Sequence, residues 1–244
     1  MNKAVVPCLL IAMMMILSLS IPVAFSSTIL FSENFSGYPS GSQAPGWTPH
    51  GHIFLEGGQY VIPCVAKGCT PANGTVWSTA LYTGQTFSDF NYSVRATGLG
   101  QCGPPNLPQS PPVLTIVFRA QSSSKQPSLN TYYAWMDIDK LQISKYVNGV
   151  PTVLGGVTLA HLALQGILTP NDTVSITHNG QQQTWFNPDG SYYLRISANG
   201  PTLSMFFNGR LEVQVTDSTY TSGYIGFGTY ACNGAFNDVL VSSG

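Results

Sequence analysis

Residues 131–139, Thr-Tyr-Tyr-Ala-Trp-Met-Asp-Ile-Asp, carry the densest chemistry in the chain. Alternate side chains of an extended strand face opposite ways, so Tyr132, Ala134, Met136 and Ile138 make an apolar face suited to a core. Tyr133, Trp135, Asp137 and Asp139 then share the other face. Neighbouring β-like runs bring Arg95, Arg119, Gln142 and Tyr146 to the corresponding non-core positions. Aromatic rings stack on the C–H faces of sugars, while guanidinium and carboxylate groups bind hydroxyl pairs in a bidentate way. Tyr133, Trp135, Asp137, Arg95, Arg119 and Tyr146 are therefore the candidate ligand-binding residues, joined by Trp185 from a later segment. The plainer alternative is that Tyr133 and Trp135 are ordinary strand formers under a loop, with both arginines paired to Asp137. Whether the two rings line an open groove decides between these.

Catalysis has less to stand on. Asp137 and Asp139 are strand neighbours roughly 6–7 Å apart, whereas retaining glycoside hydrolysis needs carboxyl groups about 5–5.5 Å apart. A strand end running into a turn explains both aspartates. There is no Gly-x-Ser-x-Gly elbow, His-Glu-x-x-His helix or phosphate-cradling glycine loop. His50 and His52 share a face if extended, without a third metal ligand; His161 and His178 stand alone. No catalytic residue is expected.

The composition fits an extracellular β-protein rather than a cytosolic enzyme. Charged residues make up 8% of the chain, against roughly 25% in ordinary soluble domains. A net charge of -1 without a Lys/Arg cluster excludes nucleic acid as a main partner. Hydrophobic content of 43% excludes disorder. Lys3, the apolar run to Phe25 and the small-x-small site Ala24-Phe25-Ser26 predict a signal peptide over residues 1–26. The alternative is an uncleaved membrane anchor. Cleavage leaves Cys64, Cys69, Cys102 and Cys232, an even number that predicts two disulfides. The expected pairs are Cys64–Cys69 and Cys102–Cys232, with a zinc site as the alternative. Asn34, Asn73, Asn91 and Asn171 each begin a glycosylation sequon.

The elements that must position these residues are strands. Residues 27–244 fit one domain. Period-two alternation recurs at Tyr92, Val94 and Ala96, at Leu114, Ile116 and Phe118, and at Tyr192, Leu194 and Ile196. Asn148-Gly149, Asn199-Gly200 and Asn208-Gly209 are type I′ hairpin signals. Residues 158–164 are a short helical candidate. The expectation is an all-β, two-sheet antiparallel sandwich of jelly-roll type.

The order of motifs also resembles a known family. Phe31-Ser32-Glu33-Asn34-Phe35 looks like an opening strand and Phe236-Asn237-Asp238-Val239-Leu240-Val241 like a closing one. Between them run Asp89 to Arg95, Val117 to Gln121, Tyr132 to Asp137, Leu141 to Gly149, Tyr193 to Ile196, Phe207 to Leu211 and Gly223 to Gly228. The sequence is similar to the laminin-G-like branch of the concanavalin A-like lectin/glucanase jelly rolls over nearly all of residues 27–244. Residues 166–190 exceed the usual length and suggest an extra hairpin or flap. Glycosidases of this fold carry Glu-x-Asp-x-x-Glu on one strand; here Asp137-Ile138-Asp139 is the nearest match and both glutamates are missing. The resemblance also implies a structural calcium between the first and last strands, through Glu33 and Asp238. The function expected is a secreted or cell-surface, lectin-like, non-catalytic module that binds a polysaccharide or glycan. A structural module packing against like subunits is the alternative, and a glycoside hydrolase is a further one.

Overall fold

The structure is a computed structural model that describes residues 27–63, 77–100, 113–123, 130–178, 181–230 and 234–244. The expected signal peptide, all four mature cysteines and Asn73 lie outside the described residues. The strands in chain order begin with β1 (Ile29–Glu33), β2 (Trp47–His50), β3 (Phe54–Glu56), β4 (Gln59–Ile62), β5 (Trp77–Phe87) and β6 (Phe90–Gly98). Next come β7 (Val113–Ala120), β8 (Asn130–Asp137), β9 (Lys140–Val147) and β10 (Val150–Thr158). One helical turn, α1 (Leu159–Leu164), precedes the hairpin of β11 (Thr173–His178) and β12 (Gln181–Phe186). The chain closes with β13 (Ser191–Asn199), β14 (Thr202–Phe207), β15 (Arg210–Thr216), β16 (Gly223–Tyr230) and β17 (Gly234–Ser243).

Two antiparallel sheets form the sandwich. Sheet A runs β15-β14-β13-β6-β17-β4-β3, with β1 paired to β17; sheet B runs β10-β9-β8-β7-β16-β5-β2. Consecutive β7, β8, β9 and β10 sit side by side, while β16 and β17 return to the middle of the two sheets. The inward residues are those that alternation predicts: Leu114, Ile116, Phe118, Tyr132, Ala134 and Met136 from sheet B meet Tyr92, Val94, Tyr192 and Leu194 from sheet A in one core. Burying such a side chain contributes roughly 1.5–3 kcal/mol, so the pattern fixes which face of each strand turns outward.

Turn chemistry sets the registers. Asn148 and Gly149 both have positive φ, as do Asn208 and Gly209, which is the type I′ signature. The third expected Asn-Gly turn lies one residue later. Asn199 pairs with Thr202 and the loop is Gly200-Pro201. Proline's fixed negative φ cannot occupy the first, positive-φ position, so Gly200 takes it (φ 51°) as in a type II′ turn. Thr158 caps α1 by accepting from the His161 backbone N–H. The long insertion does form an extra hairpin, the separate two-stranded sheet β11-β12.

Candidate functional site

The outer face of sheet B gathers most of the aromatic candidates. Trp135 lies in register between Thr115 on β7 and Gln142 on β9, and Tyr133 between Val117 and Ser144. Tyr146 follows opposite Thr131. On β16 the outward positions between Tyr224 and Tyr230 are Gly226 and Gly228, paired to Leu81 and Thr79 of β5. That side-chain-free lane lets the ring of Trp77, at the start of β5, reach across two strands. Its centroid stands 4.8 Å from Tyr133, 4.9 Å from Trp135 and 5.0 Å from Tyr230. Tyr146 packs edge-on to Tyr133 at 5.0 Å.

The result is two tiers of rings. Tyr133 and Trp135 form a floor, 0% and 8% exposed. They do not themselves line an open groove, which the ligand-binding expectation needed and its plainer alternative did not. Trp77 and Tyr146 are half-buried above them, and Tyr230 is 37% exposed. Trp77 heads a strand, and neither it nor Tyr230 is among the candidate ligand-binding residues named from the sequence. The signal was available in the alternation of Trp77, Thr79 and Leu81, and of Tyr224, Gly226, Gly228 and Tyr230.

The face is short of hydrogen-bond partners. Tyr133 Oη, Trp135 Nε1, Thr79 Oγ1 and His50 Nε2 are buried without one. His50, Thr79 and Trp135 belong to a single cross-strand row, since His50 pairs with Thr79, Thr79 with Gly228, Gly228 with Thr115 and Thr115 with Trp135. A buried unmet donor or acceptor costs about 1–3 kcal/mol. Burial pushes the Tyr133 hydroxyl well above its ordinary range and that of Tyr146 up to about 12, so both remain donors. Burial also lowers the pKa of His50, partly opposed by a bond to the Ser123 backbone, and leaves its ring neutral at pH 7.

The glycine lane makes a direct prediction. A Cβ at Gly228 would come 2.3 Å from the Ser78 carbonyl oxygen, and one at Gly226 2.3 Å from that of Ala80. Neither backbone atom can swing away, so Gly228→Ala should cost on the order of 2 kcal/mol. Urea unfolding measures it; a change under 0.5 kcal/mol, about the scatter of ordinary surface substitutions, would refute the close approach.

The remaining candidates lie elsewhere. Arg95 belongs to β6 in sheet A, on the opposite side of the sandwich, where its Nε meets Asp238 Oδ2 at 3.0 Å. Arg119 is fully buried beyond the end of β7's outer row and donates to the carbonyls of Ser88, Gly200 and Tyr220. Asp137 pairs with Lys140 at 3.3 Å and accepts the Ile138 N–H, closing the β8–β9 turn. Neither arginine therefore pairs with Asp137. Trp185 lines a separate cleft of about 630 Å³ with Asp139, Ile138 and α1, and its Nε1 donates to Gln183.

Glu33 and Asp238 do share one depression on sheet A, as the calcium expectation required. The residues do not fit that ion. The Glu33 oxygens accept from the Phe35 N–H at 2.8 Å and the Tyr38 hydroxyl at 3.0 Å, and Asp238 already holds a guanidinium. Among the described residues no three acidic, His or Cys side chains converge on a metal-sized site. Of the sequons described, Asn34 and Asn171 are exposed, whereas the Asn91 amide donates to the Ser243 carbonyl inside sheet A.

Solved structures share this arrangement of strands. The CBM66 carbohydrate-binding module from Bacillus subtilis matches at 22% identity over 81% of this chain and 96% of its own, with a TM-score of 0.53. An endo-β-1,3-glucanase from Pyrococcus furiosus matches at 10% identity, 89% and 94% coverage and a TM-score of 0.58. The carbohydrate recognition domain of Emp46p matches at 10% identity, 88% and 97% coverage and 0.57. The fold is a concanavalin A-like jelly roll. Identities this low speak for that fold alone, which hosts many functions. No protein family model and no curated protein matches the chain.

Proposed function

We propose that this concanavalin A-like jelly roll is a secreted, lectin-like module that binds a neutral glycan on the outer face of sheet B without cleaving it. The observation that carries the reading is the partly exposed tier of Trp77, Tyr146 and Tyr230 over a floor whose donors have no acceptor. Flat rings offer stacking surface to sugar C–H faces, and violated hydrogen-bonding rules concentrate at functional sites. Among the described residues the face is nearly free of charge: its acidic residue at the rim, Asp137, is neutralised by Lys140. The solved carbohydrate-binding module and recognition domain of the same fold support a binding role. The solved glucanases support a hydrolytic one, but here the expected carboxylate position is spent on a turn ion pair.

Titration of the chain with soluble β-1,3-glucan and other neutral polysaccharides tests this. Binding is expected, weakened at least about tenfold by Trp77→Ala and insensitive to salt, with no release of reducing ends. Binding unchanged in Trp77→Ala would remove the site, and steady release of reducing ends would replace the lectin with a hydrolase. The packing alternative has its own observation, the exposed Val150 and Val153 on edge strand β10. Pro151 and a bulge beside Val153 blunt that edge, which favours the binding role.

A further inference from the structure

The opposite face of the sandwich has a different character. Arg195 on β13 lies between Phe206 of β14 and Ser93 of β6, and the row continues to Leu211 on one side and Leu240 on the other. Its guanidinium carbon stands 3.6 Å from the centre of the Phe206 ring. Stacking of this kind orients the planar group and leaves its edge N–H donors free. Every other described basic residue has a carboxylate: Arg95 has Asp238, Arg119 has Asp89, Lys140 has Asp137, Lys145 has Asp217 and Arg210 has Glu212. Among the described residues Arg195 alone has none. In a chain with so few charges, an arginine seated over a ring without a carboxylate partner can pair with an anion from outside.

Arg95 is its diagonal neighbour, because Arg95 pairs with Tyr193 and Arg195 with Ser93. Diagonal pairs stand roughly 7–8 Å apart. Only Nε of Arg95 is engaged, by Asp238, and both side chains of that pair are about half exposed (51% and 50%). Asp238 holds its position at a bulge of β17 with φ 53°, a conformation an aspartate adopts at a cost. Tyr193, 38% exposed, pairs with Arg95 across the strands and precedes Arg195 by two residues on the same face. Two forked donors and an exposed ring on one face, beside the depression that Tyr193 lines together with Glu33 and Asp238, match an anionic group attached to a sugar ring.

We propose that the outer face of sheet A is a second binding site, which takes the carboxylate or sulfate of an acidic polysaccharide on Arg195, with Arg95 and Tyr193 contacting the adjoining sugar. It is independent of the reading of sheet B, and the two fail separately. The probes are polygalacturonate, dextran sulfate, neutral dextran and poly-L-glutamate, titrated at low and physiological salt. The chain is expected to bind polygalacturonate, dextran sulfate or both, more weakly as salt rises, and to prefer them to poly-L-glutamate and dextran. Binding of only one acidic polymer names the anion. Arg195→Gln is expected to lose about tenfold in affinity with its melting temperature unchanged, and Arg195→Lys to lose part of it because the charge stays and the fork goes. Three results would overturn the site: no acidic polysaccharide bound at low salt, affinity unchanged in Arg195→Gln, or poly-L-glutamate bound equally well.

Discussion

Replacing Arg119 with methionine should unfold this protein more readily than any other single change at a charged residue. The guanidinium is fully buried at one end of the sandwich and makes five contacts. It donates to Ser88 O through Nε and Nη2, to Gly200 O at 2.9 Å, to Tyr220 O at 3.0 Å, and reaches Asp89 at 3.3 Å. Those partners sit in three separate loops, which one planar side chain ties to the end of β7. Burial lowers the pKa of the group and Asp89 opposes that shift, yet the loss is far too small to discharge an arginine at neutral pH. Methionine fills the volume but strands three carbonyls and a carboxylate. The expected loss is about 3–5 kcal/mol, or roughly 10 °C in melting temperature. Arg119→Lys should recover part of it, since an ammonium cannot span the three loops. A loss below 1 kcal/mol by urea unfolding would refute the role.

Asp217 should be nearly as costly, and its effect should depend on pH. Burial alone would raise its pKa, but hydrogen bonds from Lys145, Tyr132 and Thr219 outweigh that and hold the carboxyl well below the usual carboxylate range. The Lys145 contact is 2.6 Å, and the Tyr132 hydroxyl, pushed up to about 12 by burial and by this carboxylate, stays a donor. A carboxyl whose pKa is depressed by folding adds stability above its unfolded value, near pH 4, and loses it as the solution is acidified below that. Asp217→Asn is therefore expected to cost about 3 kcal/mol at pH 7 and progressively less toward pH 2. Wild-type and variant melting curves measured from pH 7 to pH 2 should converge. A gap constant with pH would mean that the carboxylate's charge is not what matters.

Much of this was legible in the sequence, for physical reasons that also explain what was not. The core face of β8 followed from alternation because burial enforces period two, and two of the three Asn-Gly turns fell where positive φ requires them. Sheet membership was not legible. Arg95, Arg119 and Tyr133 all sit at outward positions of β-like runs, but alternation says nothing about which sheet a strand joins, so Arg95 was placed on the wrong side of the sandwich. Arg119 departs from alternation altogether: its φ of 50° turns the side chain into the end of the sandwich. Trp77 was missed because its partners, Tyr133 and Trp135, lie three strands away, beyond β16 and β7, across glycines whose role appears only once β16 is seated between β5 and β7.

The pairing of β1 with β17 has a mechanical meaning. Ile29 lies opposite Ser242, and the Ser243 N–H donates to the Thr28 carbonyl, so the two ends of the described fold lie side by side. A load applied through both ends pulls these strands apart sideways, and their hydrogen bonds yield one after another. A load between one end and a partner held on either outer face does not draw the two strands apart. With the first and last strands paired in this way, the fold opens most easily under a pull between its own two ends.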